Sequence, residues 1–337
     1  MKRYIAVDSG KSFTKVAVYD EKAEQIRTEN IRTKFDEGVF EDTDPGRDTA
    51  LVEFDGHVYR IGKGATKEAD LSTTKKLLIH KLCTLYAIAR ECSSDQIDDV
   101  YCAIGIPVKD YEFPEARNEY RDYILPQEEI TIRFKRNGDA PIETRTFRLV
   151  GRYVYPEGAG ALFAPGVNGL GTVGVIDIGH LNVNMTIYNE GDADQTMSVT
   201  TTKGCNALVS GLAQKLSAAY SFINKQQTAE ILGRSGAERC LKPIKPNPEI
   251  EQSSKEMIDK YLFDYVKALR EDCLAAQWSV DYTQFVFIGG TVGVIANEIK
   301  QVFGEEVIIP PNGAFTNVTG FLMLMCGRSD VLGKMIG

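Results

Sequence analysis

Two short turns in the chain each combine an aspartate with a glycine, and these residue types suit the binding of phosphate and metal. The first turn contains Asp8 and Gly10, and the second contains Asp177 and Gly179. Glycine allows a backbone to approach a ligand closely, and successive N–H groups in such a turn bind anions. An aspartate carboxylate can hold the water molecules of a metal that bridges phosphates. The two turns therefore predict a site for a metal and a nucleotide.

Strand-like segments flank both turns. Residues 4–7 and 173–176 are apolar runs, and residues 14–19 and 184–188 are alternating segments. Each half of the chain is therefore predicted to contain a strand, a tight turn and a returning strand. This repetition favours a duplicated fold that binds a ligand between its halves. An ordinary β-hairpin with an Asp-Gly turn would give the same local pattern, so neither turn is decisive alone.

The rest of the chain alternates predicted strands with predicted helices. Further strands are expected at about 50–54, 57–61, 100–106, 130–150, 285–288 and 307–310. Helices are expected at about 72–92, 111–125, 206–219, 253–276, 292–302 and 318–326. A polar, turn-rich segment that starts at about residue 28 is expected to be an insertion. This order of elements predicts an α/β fold.

Composition and charge narrow the class of protein. The 337 residues are 43% hydrophobic and 26% charged, which is typical of globular proteins. The net charge of −8 disfavours direct binding to nucleic acid or to an anionic membrane. No apolar run approaches the roughly 18 residues that a membrane-spanning helix needs. Seven scattered cysteines without a C-x-x-C pair indicate reduced thiols and a cytoplasmic protein, and three distant histidines are too few for a zinc centre.

Five segments that occur in a characteristic order give the sequence a family resemblance. They lie at residues 8–15, 156–162, 177–184, 202–206 and 285–292. Together they resemble the actin-like ATPase superfamily, in particular the ParM-type plasmid-segregation proteins of Gram-positive bacteria, over nearly the whole chain. The sequence has no GxxxxGK[ST] motif and no GxGxxG after a strand, which disfavours P-loop and Rossmann proteins.

The resemblance implies a fold of two duplicated ribonuclease H-like domains of the actin/Hsp70 type, with a nucleotide in the cleft between them. Domain I would span 1–165, with an insertion at about 28–70, and would be completed by a C-terminal helix at about 311–337. Domain II would span 166–310. Small residues in two connecting segments would pack closely, with Gly320 against Ala159 or Gly160.

The resemblance also implies roles for individual residues. Glu157 would orient the water that attacks the γ-phosphate, while Asp8 and Asp177 would contribute to catalysis by holding Mg²⁺ through water. Contacts to the nucleotide are implied for Ser9, Gly10, Lys11, Ser12, Thr14, Lys15, Gly179, His180, Asn182, Lys203, Gly204, Gln227, Glu230, Gly289, Gly290 and Thr291. A solvent-facing His180 is an alternative, as is a solvated helix face for Gln227 and Glu230.

The function implied by the resemblance is a filament that assembles with ATP, or with GTP, and that slow hydrolysis weakens. Its partners would be further copies of itself and a small ParR-like DNA-binding adaptor on a plasmid centromere, with no direct contact to nucleic acid or membrane. The alternative is a sugar- or acetate-type kinase of the same superfamily. A kinase needs a substrate base, for which Asp110 is the candidate.

Overall fold

The computed structural model describes residues 1–20, 23–41, 46–68, 75–136, 140–169 and 171–327, which form two compact units. Unit 1 consists of the residues up to Ala164 together with those from Phe315 onward. Unit 2 is continuous and spans Pro165–Ala314. The family resemblance implies a first boundary after residue 165 and a return to the first domain at about residue 311.

A ten-stranded sheet forms the framework of unit 1. Its strands are β1 (Lys2–Ser9), β2 (Phe13–Asp20), β3 (Gln25–Arg32), β4 (Lys34–Glu37), β5 (Thr49–Phe54), β6 (His57–Gly62), β7 (Lys67–Glu68), β8 (Asp98–Ile106), β9 (Ile130–Arg136) and β10 (Ile142–Pro156). They lie in the order β3-β2-β1-β8-β10-β9-β5-β6-β4-β7. Strand β1 runs antiparallel to β2 and parallel to β8, which is parallel to β10.

The predicted insertion begins later in the structure than residue 28. Strand β3 pairs with β2 along its whole length, so residues up to Arg32 belong to the main sheet. Strands β4 to β7 extend the opposite edge of the sheet, where β5 pairs with β9. The remainder of the expected insertion at 42–45 and 69–70 lies outside the described residues.

Helices α1 (Leu78–Glu91), α2 (Val108–Tyr111) and α3 (Pro114–Ile124) belong to unit 1. A 3-10 helix at Ala159–Phe163 and a C-terminal helix at Thr316–Gly327 complete the unit. Nearly every residue of α1 between Ile79 and Ala89 is buried, because this helix packs against the apolar sheet. Its expected first turn at 72–74 lies outside the described residues.

Unit 2 repeats this arrangement around a four-stranded sheet. Its strands are β11 (Thr172–Ile178), β12 (Val183–Asn189), β13 (Asp192–Thr201) and β14 (Gln284–Ile288), and its helices are α4 (Cys205–Ala219), α5 (Lys225–Leu232), α6 (Pro248–Ala275) and α7 (Ala296–Phe303). The strand order is β13-β12-β11-β14, with β11 antiparallel to β12 and parallel to β14. The strand expected at 307–310 is reduced to one parallel bridge between Val286 and Ile308.

The two units share one topology. In each, three antiparallel strands are followed by a strand that lies parallel to the first strand on its other side. In unit 1, β10 lies next to β8 and adds a further parallel strand. In unit 2, the parallel bridge at Ile308 lies at the corresponding position next to β14. The predicted duplicated, ribonuclease H-like α/β fold is therefore confirmed.

Two further observations concern the cysteines and the apolar character of the helices. The described residues include all seven cysteines and no disulfide between them, and six of the seven are buried. Among the described residues, no helix combines the length and the apolar character needed to cross a membrane.

Candidate functional site

The first Asp-Gly turn joins β1 to β2. The Gly10 N–H donates a hydrogen bond to the carbonyl oxygen of Phe13 at 3.0 Å. A Cβ atom on Gly10 would lie 2.8 Å from that oxygen, so a side chain would push the turn open. Asp8 lies two residues before the glycine, at the end of a strand whose last residues are buried.

The second turn, between β11 and β12, repeats the same bond. The Gly179 N–H donates to the carbonyl oxygen of Asn182 at 2.9 Å, and a Cβ atom on Gly179 would lie 3.0 Å from it. Asp177 again lies two residues before the glycine. Both turns therefore place an aspartate and a tight glycine turn at the same position of a repeated hairpin.

A cluster of charged side chains surrounds the first turn. The Lys75 Nζ atom lies 3.2 Å from Asp8 Oδ1 and also forms an ion pair with Glu157 Oε1. The Lys15 Nζ atom lies 3.9 Å from Asp8 Oδ2. The side chains of Asp8, Lys75 and Glu157 are only 9–11% exposed. Both carboxylates are therefore neutralised by an ammonium group in a largely buried environment.

The pKa values of this cluster follow from burial and from the neighbouring charges. Burial by itself would raise the pKa of Asp8, but the ammonium groups of Lys75 and Lys15 outweigh it and lower that pKa below its ordinary value. Burial would lower the pKa of Lys75, and the carboxylates of Glu157 and Asp8 raise it instead. At neutral pH the Asp8 carboxylate is therefore ionised and Lys75 is protonated.

Close packing of two backbone segments fixes the position of Glu157. A Cβ atom on Gly320 would lie 2.1 Å from the carbonyl oxygen of Gly160, so the C-terminal helix and the 3-10 helix touch through their main chains. The expected contact between Gly320 and Gly160 is thereby confirmed. At the same crossing, Asn317 Oδ1 accepts a hydrogen bond from the Gly158 N–H at 3.1 Å. The Glu157 N–H donates to the Ile106 carbonyl at 2.8 Å, which anchors the residue to strand β8.

In unit 2, strand β14 brings a glycine against the second aspartate. Gly289 has a φ of +108°, and a Cβ atom there would lie 2.3 Å from the Ile178 carbonyl oxygen and 3.0 Å from Asp177 Oδ1. The next residue, Gly290, is exposed and has open space around its Cα atom, while Thr291 is buried. The first glycine is therefore required by packing within unit 2, and the second leaves room beside the chain.

Comparison with known proteins agrees with this geometry. Residues 6–160 match the model of the family described as actin-like proteins, N-terminal domain. The chain has the actin-like fold. It is similar to the Alp12 filament structure, with a TM-score of 0.74, 24% sequence identity, and coverage of 97% of this chain and 99% of that one.

Two further solved structures have the same actin-like fold at lower identity. A crystal structure of an archaeal actin homologue matches with a TM-score of 0.75 and 15% identity, covering 97% of this chain and 99% of that one. ParM of Bacillus thuringiensis with ATP matches with a TM-score of 0.68 and 13% identity over the same shares of the two chains. No curated protein sequence matches this chain significantly. The resemblance to actin-like proteins that the sequence predicts is confirmed.

Several hydroxyl groups of the first actin-like turn already have partners in the protein. The Ser9 and Thr84 hydroxyls are 3.1 Å apart and buried, and the fully buried Thr14 hydroxyl pairs with that of Thr33 at 3.1 Å. The Ser12 hydroxyl accepts a hydrogen bond from Arg32 Nη1 at 2.5 Å. The interior positions of Ser9 and Thr14 favour a structural role for both side chains. Lys11 and Ser12 remain half-buried at the turn.

The start of α4 holds the second turn instead of presenting free amides. The N–H groups of Gly204, Cys205 and Asn206 donate to the carbonyl oxygens of Leu181, Gly179 and His180 at 3.1, 2.9 and 2.8 Å. A Cβ atom on Gly204 would lie 2.4 Å from the Leu181 carbonyl carbon. The start of α4 therefore supports the second turn, and a contact between Gly204 and a nucleotide stays a prediction.

Other residues that the resemblance assigned to the nucleotide lie in local contacts. Lys203 Nζ forms an ion pair with Asp272 at 2.6 Å, and Gln227 forms a reciprocal capping box with Asn224 at the start of α5. The exposed Glu230 accepts a hydrogen bond from Gln226 at 3.1 Å. His180 is exposed and Asn182 is half-buried. The contacts of Gln227 and Glu230 agree with the solvated-helix alternative.

Among the described residues, no group of three or more His, Cys, Asp or Glu side chains could enclose a metal ion. A single aspartate at each turn fits Mg²⁺, which keeps several waters and takes further oxygen ligands from nucleotide phosphates. Each aspartate, taken by itself, is therefore suited to accept hydrogen bonds from the water molecules of such an ion.

Lys75 and Asn317 lie beside the site in unit 1, and neither is among the site residues that the sequence predicts. Lys75 lies just before α1, where an adjacent pair of lysines looks like an ordinary solvated helix start. Asn317 lies in the second connecting segment, three residues before Gly320. A polar amide beside that small residue is the signal that could have identified Asn317.

Proposed function

We propose that the chain is an actin homologue that binds and slowly hydrolyses ATP and assembles into filaments. The observation that carries this proposal is the repeated hairpin turn, in which Asp8 and Asp177 precede glycines that make the same backbone hydrogen bond. Each turn would contact the phosphates of a Mg²⁺–nucleotide. GTP could be bound by the same backbone and carboxylate groups, because none of them reads the base.

Each group has a distinct role in this proposal. Asp8 and Asp177 would hold water molecules of Mg²⁺, which neutralises phosphate charge when it is bound. The half-buried ammonium of Lys15 would contact a phosphate oxygen. Glu157 would accept a hydrogen bond from the attacking water. These roles include no strong base and no covalent intermediate, which suits slow hydrolysis.

Similarity to a solved filament structure supports the assembly that we propose. The Alp12 filament and the ATP-bound ParM share the fold of this chain. By analogy, the protein would polymerise in the cytoplasm when ATP is bound and disassemble after hydrolysis. A ParR-like adaptor on a plasmid centromere would link the filament to DNA, since a net charge of −8 disfavours direct binding.

The kinase alternative depends on one candidate base, Asp110, which lies in the single-turn helix α2. The two functions predict different effects of ATP on the size of the protein assembly. ATP should make a filament protein polymerise, whereas a kinase does not need to polymerise.

The test measures nucleotide binding and assembly on the same protein. Fluorescent ATP-analogue binding with Mg²⁺ is measured first, followed by sedimentation and light scattering with and without ATP. We expect Asp177→Asn to weaken Mg²⁺-dependent binding at least about tenfold, because a metal-water ligand loses its charge. Asp192→Asn, at an exposed position of β13, is the matched control and should bind like the wild type. Binding without any ATP-dependent pelleting would reject the filament, and no binding at all would reject the nucleotide site.

A further inference from the structure

The side chain of Lys75 occupies the position where the two carboxylates of unit 1 converge. Its ammonium group lies 3.2 Å from Asp8 Oδ1 and pairs with Glu157 Oε1. We propose that Lys75 competes with Mg²⁺ for this site. Its ammonium group neutralises Asp8 and pairs with Glu157 until a metal–nucleotide displaces it. This inference rests on the proposed function, because it concerns the same nucleotide site.

The charge balance of the cluster supports competition. Lys75 and Lys15 face different oxygens of the Asp8 carboxylate, so both oxygens already lie near a positive charge. Metal-bound water donates hydrogen bonds, and it would need an oxygen that now faces an ammonium group. A divalent cation beside Asp8 would also repel Lys75 in a site where little water screens the charges. Binding of the metal is therefore expected to require that Lys75 leave Asp8.

The backbone of Lys75 is held in place, so its side chain is presented to the cluster from a fixed point. The Lys75 carbonyl oxygen accepts hydrogen bonds from the Leu77 N–H at 2.9 Å and from the ring of His80 at 2.9 Å. The His80 side chain is fully buried, and burial lowers its pKa to about 4, so the ring is neutral and its Nδ1–H can donate. Displacement of the ammonium group is thus a movement of one side chain about an anchored main chain.

The arrangement also affects the proposed catalytic step. While Glu157 pairs with Lys75, one of its oxygens is engaged by an ammonium group. Glu157 becomes available to a water molecule when the pair separates. Lys75 would thereby couple metal binding at Asp8 to the release of Glu157.

The experiment measures the Mg²⁺ concentration that gives half-maximal binding of N-methylanthraniloyl-ATP. In Lys75→Met we expect this concentration to fall roughly tenfold. An ammonium group within 4–6 Å of a carboxylate stabilises the negative charge by the equivalent of about one pK unit or more, and a cation that binds the same carboxylate has to replace that stabilisation. Lys76→Met is the matched control, because Lys76 is 45% exposed and pairs with Glu119 at 3.1 Å. It should behave like the wild type.

A second pair of proteins covers the case in which Lys75→Met does not fold. Glu157→Gln is compared with the double variant Lys75→Met/Glu157→Gln. The single variant Lys75→Met buries the Glu157 charge without its partner, and the double variant avoids this because residue 157 is then uncharged. The double variant should need less Mg²⁺ than the single variant. An unchanged or higher requirement in either comparison overturns the competition. If the wild type itself binds no nucleotide, the proposed function fails, whereas wild-type binding with equal requirements rejects only the role of Lys75.

Discussion

The crossing of the C-terminal helix and the 3-10 helix gives a quantitative prediction for Gly320→Ala. The new Cβ atom would lie 2.1 Å from the Gly160 carbonyl oxygen and 2.3 Å from the Gly160 Cα atom. These are backbone atoms, so no side-chain rotation can relieve the overlap. Restoring an ordinary contact of 3.4 Å needs a separation of about 1.3 Å. That shift breaks the 3.1 Å hydrogen bond between Gly158 and Asn317.

The expected loss of stability follows from three opposing contributions. Overpacking costs about 1–3 kcal/mol, and loss of a buried hydrogen bond adds about 1 kcal/mol. Alanine has a better helix propensity than glycine, which offsets about 1 kcal/mol. We therefore expect the free energy of unfolding of unit 1 to fall by about 1–3 kcal/mol. The substitution should also slow nucleotide hydrolysis, because Glu157 adjoins the displaced segment.

Urea denaturation followed by circular dichroism measures this effect. Gly233→Ala is the control, since Gly233 has a φ of −71° and its nearest contacts to a Cβ atom are 3.5 and 3.6 Å. The control should unfold at the wild-type midpoint or slightly above it. A Gly320→Ala midpoint that equals the control would refute the inferred backbone contact.

Three further substitutions test the site and its surroundings. Glu157→Gln should slow phosphate release about 100-fold or more while ATP-dependent pelleting persists, and unchanged release would reject its role. The pKa of His80 is lowered from 6.5 to about 4, so stability should fall as pH decreases between these values, by up to about 3 kcal/mol. His80→Gln should remove this slope in pH-dependent denaturation, and substitution of the exposed His57 should not. Gly289→Ala should lower the melting temperature, because its Cβ atom would overlap the Ile178 carbonyl oxygen, whereas Gly290→Ala should melt like the wild type.

The two turns could be predicted from sequence because their geometry is local. Asp8 and Gly10 are two residues apart, and the apolar run before them and the alternating segment after them form the antiparallel pair β1 and β2. The same holds for Asp177 and Gly179. The duplicated fold followed from these local patterns, since each half repeats them in the same order.

The charged cluster could not be predicted, because its members are distant in the chain. Lys75 lies 67 residues from Asp8, and no local pattern couples a lysine before a helix to a carboxylate at the end of a strand. Lys203 also has a distant partner that no local pattern predicts, because its ammonium group pairs with Asp272 on α6. The nucleotide contact that the family resemblance implies for Lys203 stays a prediction. The strand expected at 307–310 has suitable residues, yet only Ile308 forms a bridge with β14.

The discontinuity of unit 1 has a consequence for folding during synthesis. The C-terminal helix is translated after the whole of unit 2, yet it supplies the fully buried Phe321 and the acceptor for the Gly158 amide. Until that helix leaves the ribosome, unit 1 exposes an apolar surface beside the 3-10 helix, and exposed apolar surface promotes aggregation. Unit 2 is continuous and can form its own core first. On the ribosome, unit 1 therefore begins before unit 2 and is completed after it.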